Sequence, residues 1–206
     1  MPAAAEPDDS APRRTAAGAA VLRAEVTDAI RLAVLQELAE VGYGRLSIER
    51  VARRAGVGKA AVYRRWSSKL PIVLDLVKGL TAQPLPVPDT GSLEGDVREL
   101  LAATAAVLRH PMAAQILPDL LAEAARSPEL ADALREAVHH TQRDLARAIL
   151  KSAESRGEIR PGVDPDLALD LLAGPLYWRL MLTRTESPRN HLDRLAAVTT
   201  AALRAA

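Results

Sequence analysis

The residues from Arg45 to Lys69 have the side chains and the spacing that binding to phosphate groups requires. Eight basic residues lie in this stretch, and Glu49 is its single acid. Local positive charge attracts the backbone of nucleic acids and provides a large part of DNA affinity. A basic run is also typical of an ordinary solvated surface, so the charge alone leaves both interpretations open.

The residue types used in catalysis and metal binding do not form such a set. His139 and His140 are adjacent, so on a helix they point about 100° apart and do not ligate one ion in the usual way. His110 and His191 have no His or carboxylate partner at a spacing of three or four residues. The sequence has no Cys and lacks the motifs HExxH, GxSxG and GxGxxG and the P-loop. We therefore expect no enzyme, no metal site and no cofactor.

The apolar residues over 47–66 predict two short helices joined by a tight turn. Ser47 is a good N-cap, and Gly56 can take the left-handed conformation that ends a helix and turns the chain. Val62 and Trp66, four residues apart, face inward in the second helix. The inward face of the first helix repeats every three or four residues: Ile48, Val51, Ala52 and Ala55. This is the helix-turn-helix pattern, whose second helix enters the DNA major groove by its N-terminal residues.

The outward residues of this motif are the candidate DNA contacts. Lys59 would reach a base edge or a phosphate, while Ala60 and Ala61 would touch thymine methyl groups or allow close approach. Tyr63 and Arg64 would hold phosphates and so position the helix. The complete predicted set is Arg45, Ser47, Gly58, Lys59, Ala60, Ala61, Tyr63, Arg64 and Lys69.

The rest of the sequence has the signals of helices, so we predict an all-α protein of about nine helices. Residues 1–20 are rich in Ala and Pro and are expected to form a disordered arm. Helices are expected from about Leu22 to Glu40, ending at Gly42, and from about Ser68 to Leu80. The predicted domains are the arm, a DNA-binding domain over 21–82 and a helical domain over 83–206, which begins with a Pro-rich linker.

We call the helical domain over 83–206 the rear domain. It contains further helix signals and a very apolar segment. Its expected helices run from Ser92 to Arg109, Pro111 to Ala125, Ser127 to Arg156, Asp164 to Thr183 and Ser187 to Arg204. The helix that starts at Pro165 is apolar nearly all round, so either the core or a partner covers it.

An apolar ligand pocket is one interpretation of the apolar residues in the rear domain. Its candidate lining is Met112, Leu117, Leu121, Leu134, Val138, His139, Tyr177, Trp178 and Met181, with His139 or Tyr177 as the polar group. Ordinary core packing is the alternative for each of these residues.

Charge is distributed unevenly behind a net charge of +1. Residues Val21 to Leu70 include ten basic and five acidic side chains, whereas Pro71 to Ala206 include fifteen basic and eighteen acidic ones. This asymmetry suits a DNA-binding region joined to a domain that does not bind DNA. No apolar run is long enough to span a bilayer, and the N-terminus lacks the pattern of a signal peptide. We expect a cytoplasmic protein with no membrane partner.

The run VGKAAVYRRWSSKLPIV resembles the signature of TetR-type transcriptional regulators. In that family a Val-Ser-Lys-Gly-Thr-Leu-Tyr-x-x-Phe-like string spans the recognition helix, and Ser-Lys begins the next helix. The matching residues here are Lys59, Tyr63, Trp66, Ser68 and Lys69. Three residues depart from this pattern: Gly58 replaces the usual Ser or Thr, Ala60 replaces the common Gly, and Arg65 replaces a frequent Tyr. These departures concern which operator sequence the protein binds. The string RGEIRPGVDPDLALDLLAGPLYWRLML also resembles the rear half of one branch of the family.

The resemblance implies a homodimeric regulator of transcription, most often a repressor. A small apolar or amphipathic ligand would release it from a palindromic operator by favouring the wrong spacing of the two recognition helices. The last two helices would pair with those of a second subunit through Leu167, Leu171, Leu176, Leu180, Leu192, Leu195, Val198 and Leu203. Two other classes stay open: a helix-turn-helix regulator without a small-molecule effector, and an all-α enzyme or adaptor with an incidental helix-turn-helix.

Overall fold

The computed structural model describes residues 16–81, 86–185, 188 and 190–206, and these residues form helices with no strand. The α-helices are α1 (Ala16–Arg45), α2 (Ile48–Arg54), α3 (Lys59–Tyr63), α4 (Lys69–Thr81), α5 (Leu93–Arg109), α6 (Pro111–Ala124), α7 (Pro128–Ser155), α8 (Pro165–Leu176) and α9 (His191–Ala205). A π-helical segment, Tyr177–Leu182, continues α8. The predicted all-α class is confirmed.

The first helix is longer at both ends than the sequence predicted. It begins at Ala16, so the expectation that residues 16–20 belong to a disordered arm is wrong; this Ala-rich stretch favours helix. Residues 1–15 lie outside the described part of the chain. The expected break at Gly42 is present, with φ 75° and ψ 171°, and the helix resumes for one short turn to Arg45.

The front core joins the DNA-binding motif to the rear helices. Buried Ile30, Val34 and Leu38 of α1 pack with Val51 of α2, Val62 of α3 and two residues of α4, Ile72 and Val73. The same apolar cluster includes Ile116 and Leu120 of α6 and Leu130 of α7. The packing of the front helices therefore depends on α6 and α7, although the predicted boundary near residue 83 places these two helices in the rear domain.

The rear core lies among α5, α7, α8 and α9, and local caps begin its helices as predicted. The Ser92 hydroxyl accepts from Gly95 N at 3.1 Å, and the Ser127 hydroxyl accepts from Leu130 N at 3.4 Å. Asp164 Oδ1 accepts from Asp166 N at 2.9 Å. These bonds satisfy backbone donors that a helix start leaves without a partner.

The last two helices differ from the prediction. The segment expected to be helical up to Thr183 leaves the α-helical pattern after Leu176, and Thr183 N donates to Trp178 O in the i to i−5 pattern of a π-helix. The last helix begins at His191, three residues after Pro188, and the Pro188 carbonyl accepts from His191 N at 2.9 Å in the turn that precedes the helix. Ser187 itself lies outside the described residues.

No single helix among the described residues is long and apolar enough to cross a membrane, although the α5–α6 pair, bent by 84°, meets the length and composition criteria together.

Candidate nucleic-acid interface

The turn between α2 and α3 has the geometry of a helix terminated by a left-handed glycine. Gly56 has φ 67°, as the sequence predicted. Val57 N donates to Ala52 O at 2.9 Å and Gly56 N to Arg53 O at 3.2 Å, which together form a Schellman motif. Ser47 occupies the N-cap position of α2 with an extended backbone, but its hydroxyl makes no capping hydrogen bond, so that part of the prediction is wrong.

The short helix α3 presents one face to the core and another to solvent. Val62 is fully buried in the front core, and this contact orients the helix. Lys59, Ala60, Tyr63 and Arg64 are exposed, and the Tyr63 side chain is 54% accessible. Because the buried Val62 fixes the orientation of α3, the residues at the start of this helix can reach the edges of bases in a major groove.

Several of the eight basic residues hold the motif together instead of facing outward. The Arg54 guanidinium contacts Glu37 at 2.9 Å and Glu40 at 2.8 Å, and Arg50 Nε lies 2.9 Å from Glu37 Oε2. Glu37 is 3% exposed, so these ion pairs attach α2 to α1 through a buried carboxylate. The hydrogen bond from Arg54 also lowers the pKa of Glu40. The signal for this contact in the sequence is an acid beside the apolar stripe of α1.

Other cations of the motif donate to a hydroxyl or to backbone oxygens. Arg65 donates to Thr27 Oγ1 at 3.0 Å and to Ala61 O at 2.9 Å, and Arg45 Nε donates to Val41 O at 3.1 Å. Within the described part of the chain, Arg53 and Arg64 make no side-chain hydrogen bond or ion pair with protein. These two guanidinium groups are therefore available to an external anion.

Lys59 and Glu49 form an exposed ion pair between α3 and α2. The hydrogen bond from the Lys59 ammonium, followed by its charge, lowers the pKa of Glu49. Both side chains are more than half exposed, so the pair is open to competition from another anion.

The segment just after the Gly42 break is held from two sides. Tyr43 N donates to Asp119 Oδ2 of α6 at 2.6 Å. Lys69 Nζ of α4 donates to Tyr43 O at 3.1 Å and to Gly44 O at 3.2 Å, and lies 4.4 Å from the centre of the Tyr43 ring. The Lys69 ammonium, predicted to bind phosphate, is thus engaged within the protein. Sequence reasoning missed Asp119 because its partner lies 76 residues away.

The Tyr43 side chain packs inside the protein. It is 6% exposed. Burial raises the pKa of its hydroxyl, and the negative charges of Glu123 and Glu129 raise it further. The neutral phenol therefore persists through the physiological pH range.

Known protein families match both the helix-turn-helix region and the helices that follow it. Residues 30–76 match the family described as "Bacterial regulatory proteins, tetR family", and residues 87–199 match "Tetracyclin repressor-like, C-terminal domain". The chain belongs to the TetR family. It is accordingly a DNA-binding regulator of transcription.

Individual TetR-family proteins are similar over most of their length. The DNA-binding transcriptional repressor TetR of Mycobacteroides abscessus is 35% identical over 79% of this chain and 86% of its own. A crystal structure of a TetR family transcription regulator is 32% identical, with a TM-score of 0.66 over 86% of this chain and 97% of the other. The Bacillus subtilis regulator FadR in complex with stearoyl-CoA has a TM-score of 0.66 with the same coverages but only 19% identity, so this likeness concerns the fold alone.

The residues predicted to line a pocket are divided among different parts of this TetR-family chain. Met112 and Leu134 pack against the front core, whereas Leu117, Tyr177 and Met181 pack against the rear core. Two others are largely exposed, Leu121 at 51% and Trp178 at 63%, and His139 lies 3.6 Å from Asp166 at the surface. The Val138 side chain lies outside the described residues. A pocket lined by this set stays a prediction.

The residues predicted to form a dimer interface are also of two kinds. Leu176 and Leu203 are buried in the rear core of their own chain, so the prediction is wrong for these two. Leu171, Leu180, Leu192 and Leu195 are half-buried against that core. Leu167 and Val198 are exposed, by 44% and 68%.

Proposed function

We propose that this TetR-family regulator is a homodimeric repressor that a small amphipathic ligand releases from a palindromic operator. The observation that carries the DNA-binding part is the face of α3, where Lys59, Ala60, Tyr63 and Arg64 are exposed above a buried Val62. Repression is supported by the similar repressor of Mycobacteroides abscessus.

The proposed contacts divide into base readers and phosphate binders. Lys59 exchanges Glu49 for a base edge or a phosphate, while Ala60 and Ala61 pass close to thymine methyl groups. Tyr63, Arg64 and Arg45 bind phosphates, together with Ser47 and the backbone at Gly58. Arg53, which the sequence-based set left out, joins the phosphate binders because it is exposed and has no ion pair within the described chain. Lys69 instead positions the motif through Tyr43.

Dimerisation through α8, its π-helical continuation and α9 is supported by their exposed apolar side chains. Trp178, Leu182 and Val198 are each more than 60% exposed, and Leu167 lies on the same pair of helices. Large apolar side chains that are exposed on neighbouring helices would form an apolar surface of the kind that protein interfaces bury. A two-fold dimer would place the two α3 helices in successive major grooves, about 34–36 Å apart or at a multiple of that distance.

A ligand would act by binding one arrangement of the two DNA-binding domains better than the other. The difference between those two affinities limits how far it can lower the DNA affinity. An amphipathic ligand is supported by the like-folded regulator FadR, whose structure contains stearoyl-CoA.

Selection from a random pool of duplex DNA, combined with sedimentation of the selected complex, tests this function. A palindromic winner bound by two chains per duplex, with an affinity that falls steeply with salt, is the expected result. An asymmetric winner bound by one chain would contradict the dimer. Failure to enrich any sequence, also after unfolding and refolding to strip a bound ligand, would contradict operator binding.

Two matched surface variants test the proposed interface separately from DNA binding. Val198→Glu should convert the dimer to a monomer in light scattering, because a charge would replace an apolar side chain in the interface. Val107→Glu is the control, since Val107 is a similarly exposed valine on α5. A dimer that survives Val198→Glu but not Val107→Glu would place the interface elsewhere.

A further inference from the structure

A cavity of about 670 Å³, open to solvent and lined mostly by exposed residues, lies at the seam between the DNA-binding domain and the rear helices. Its walls come from α1, from the start of α6 and from the end of the π-helical segment with the residues that follow. We call it the seam cavity. Its volume falls within the range of about 300–1,000 Å³ that is usual for small-molecule sites.

The lining of the seam cavity combines an apolar wall with polar groups at one side. Ala39, Ala114 and Leu180 supply apolar surface, whereas Gln115, Arg184 and Thr185 supply hydrogen-bonding groups. None of these residues belongs to the pocket that the sequence predicted. Ala39 is only three residues before the Gly42 break, so the cavity adjoins the segment that Asp119 and Lys69 hold.

Arg184 gives the seam cavity a positive charge. Its guanidinium is exposed and makes no hydrogen bond or ion pair within the described part of the chain. Its backbone lies in the left-handed region at φ 50°, which is uncommon for a residue with a side chain. The described lining residues include no acid that would neutralise this charge.

Positive charge also acts on His191, the first residue of α9. Burial lowers the pKa of His191, and the charges of Arg179, Arg194 and Arg109 lower it further. At the seam cavity the positive charge comes from Arg184, and a concave surface that carries one sign of charge concentrates ligands of the opposite sign.

We propose that the seam cavity is an effector site for a small amphipathic anion, whose acidic group pairs with Arg184 and whose apolar part contacts Ala39, Ala114 and Leu180. This assignment rests on the proposed ligand-responsive function, for which it specifies the place and the charge of the ligand. A carboxylate matches the planar guanidinium fork in geometry as well as in charge.

The site has a direct physical route to the DNA-binding motif through α6. Gln115 and Asp119 are four residues apart, so they lie on the same face of α6. Gln115 lines the cavity, and Asp119 accepts the hydrogen bond from Tyr43 N. A ligand bound between α1 and α6 would therefore lie next to the hydrogen bond that joins Tyr43 to α6. Lys69, the first residue of α4, donates to the carbonyl of Tyr43, so a shift of Tyr43 would also reach the start of α4.

Calorimetry with three probes of equal chain length tests the charge preference on the full chain. Decanoate is expected to bind, decanol to bind more weakly and decylamine not to bind. Arg184→Gln should weaken decanoate binding by about tenfold, because it removes a charge-assisted hydrogen bond. Arg160→Gln is the matched control, since Arg160 is an exposed arginine outside the cavity lining and should leave the affinity unchanged. Equal binding of decanoate to both variants, or no binding of decanoate to the unaltered chain, would overturn the proposal.

Photolabelling with a fatty acid that carries a diazirine locates the site directly. Labelled peptides should include the start of α6 and residues 180–185. Labelling confined to the rear core around Leu117 and Tyr177 would overturn the seam assignment and favour the pocket that the sequence predicted. If another compound releases the operator while decanoate neither binds nor labels, the regulator function stands and only the seam site fails.

Discussion

Asp119 on α6 accepts a hydrogen bond at 2.6 Å from the backbone N–H of Tyr43, the residue that follows the break in α1. At that break Gly42 has φ 75° and ψ 171°, and a Cβ atom placed on it would lie 2.7 Å from Asp119 Oδ1. The absence of a side chain at position 42 therefore permits both the backbone conformation and the approach of the carboxylate. The end of the DNA-binding domain's first helix is thereby attached to a helix of the rear domain.

Gly42→Ala should destabilise the fold by about 1–3 kcal/mol, because this region of φ and ψ is almost closed to residues with a Cβ atom. The new methyl group would also push the Asp119 carboxylate away from Tyr43 N. Urea unfolding measures the change. Gly44→Ala is the matched control: a Cβ there meets open space, so its effect should stay within about 0.5 kcal/mol. Equal losses in the two variants would show that the break has no special conformation.

Asp119→Ala should leave the Tyr43 N–H without its acceptor at a partly buried position. Loss of such a partner costs about 1–3 kcal/mol, and the Tyr43 amide should exchange its hydrogen faster than in the unaltered protein. Hydrogen–deuterium exchange resolved at single amides is the measurement. Asp119→Asn keeps an acceptor oxygen and should preserve most of the protection. Unchanged Tyr43 exchange in Asp119→Ala would contradict the role assigned to the carboxylate.

Glu49→Gln should increase the DNA affinity by about two- to fivefold at moderate salt, since it frees Lys59 from an exposed ion pair and removes a charge that repels phosphate. Fluorescence anisotropy with a labelled operator measures the change. Glu136→Gln, which removes an exposed acid from α7, is the control for net charge and should leave the affinity unchanged. A weaker complex in Glu49→Gln would mean that the Glu49 carboxylate orients Lys59 for binding.

Arg64→Ala and Arg53→Ala should each weaken DNA binding and reduce the slope of log K against log salt by about one, as expected for loss of one phosphate contact. The loss should be similar for operator and unrelated duplexes, because a phosphate contact does not read sequence. Arg160→Ala, in the loop that follows α7, is the control and should keep the full slope. An unchanged slope in Arg53→Ala would remove that residue from the interface.

Acid should destabilise the rear domain through Asp96 and Glu158. Burial opposes ionisation of Asp96, but hydrogen bonds from Thr90 and Arg156 outweigh it and lower the pKa below its ordinary 3.8. For Glu158, bonds from Leu93 N and Arg156 likewise outweigh burial and lower the pKa below 4.5. Because both pKa values are lower in the folded state, their contribution is complete at neutral pH. It is lost as the pH falls below about 4.5.

Urea unfolding between about pH 7 and pH 3 tests this dependence. Asp96→Asn should lower the stability at neutral pH by about 1–3 kcal/mol and flatten the acid decline, because one of the two titrating carboxylates is gone. Asp170→Asn is the control, since Asp170 is exposed on α8 and should leave the pH profile unchanged. A profile of Asp96→Asn that runs parallel to that of the unaltered chain would assign the acid loss to other groups.

Features that depend on neighbours in the chain could be predicted from the sequence. The caps at Ser92, Ser127 and Asp164 and the turn at Gly56 follow from residues within a few positions of one another, and the structure contains them all. The outward face of α3 follows in the same way, because helical spacing alone separates Val62 from Tyr63 and Arg64. The helix-turn-helix and its exposed cations could therefore be predicted from the spacing of nearby residues.

Features that depend on contacts between distant segments were decided only by the tertiary structure. Helical periodicity shows that Leu176 and Leu203 are apolar, but only the packing shows that their own chain buries them. The charge of Lys69 suggested a phosphate contact, but in the folded chain its ammonium donates a hydrogen bond to the carbonyl of Tyr43. Asp119 and the seam cavity had no local signal, because a hydrogen bond or a wall shared by α1 and α6 exists only after the two helices have packed.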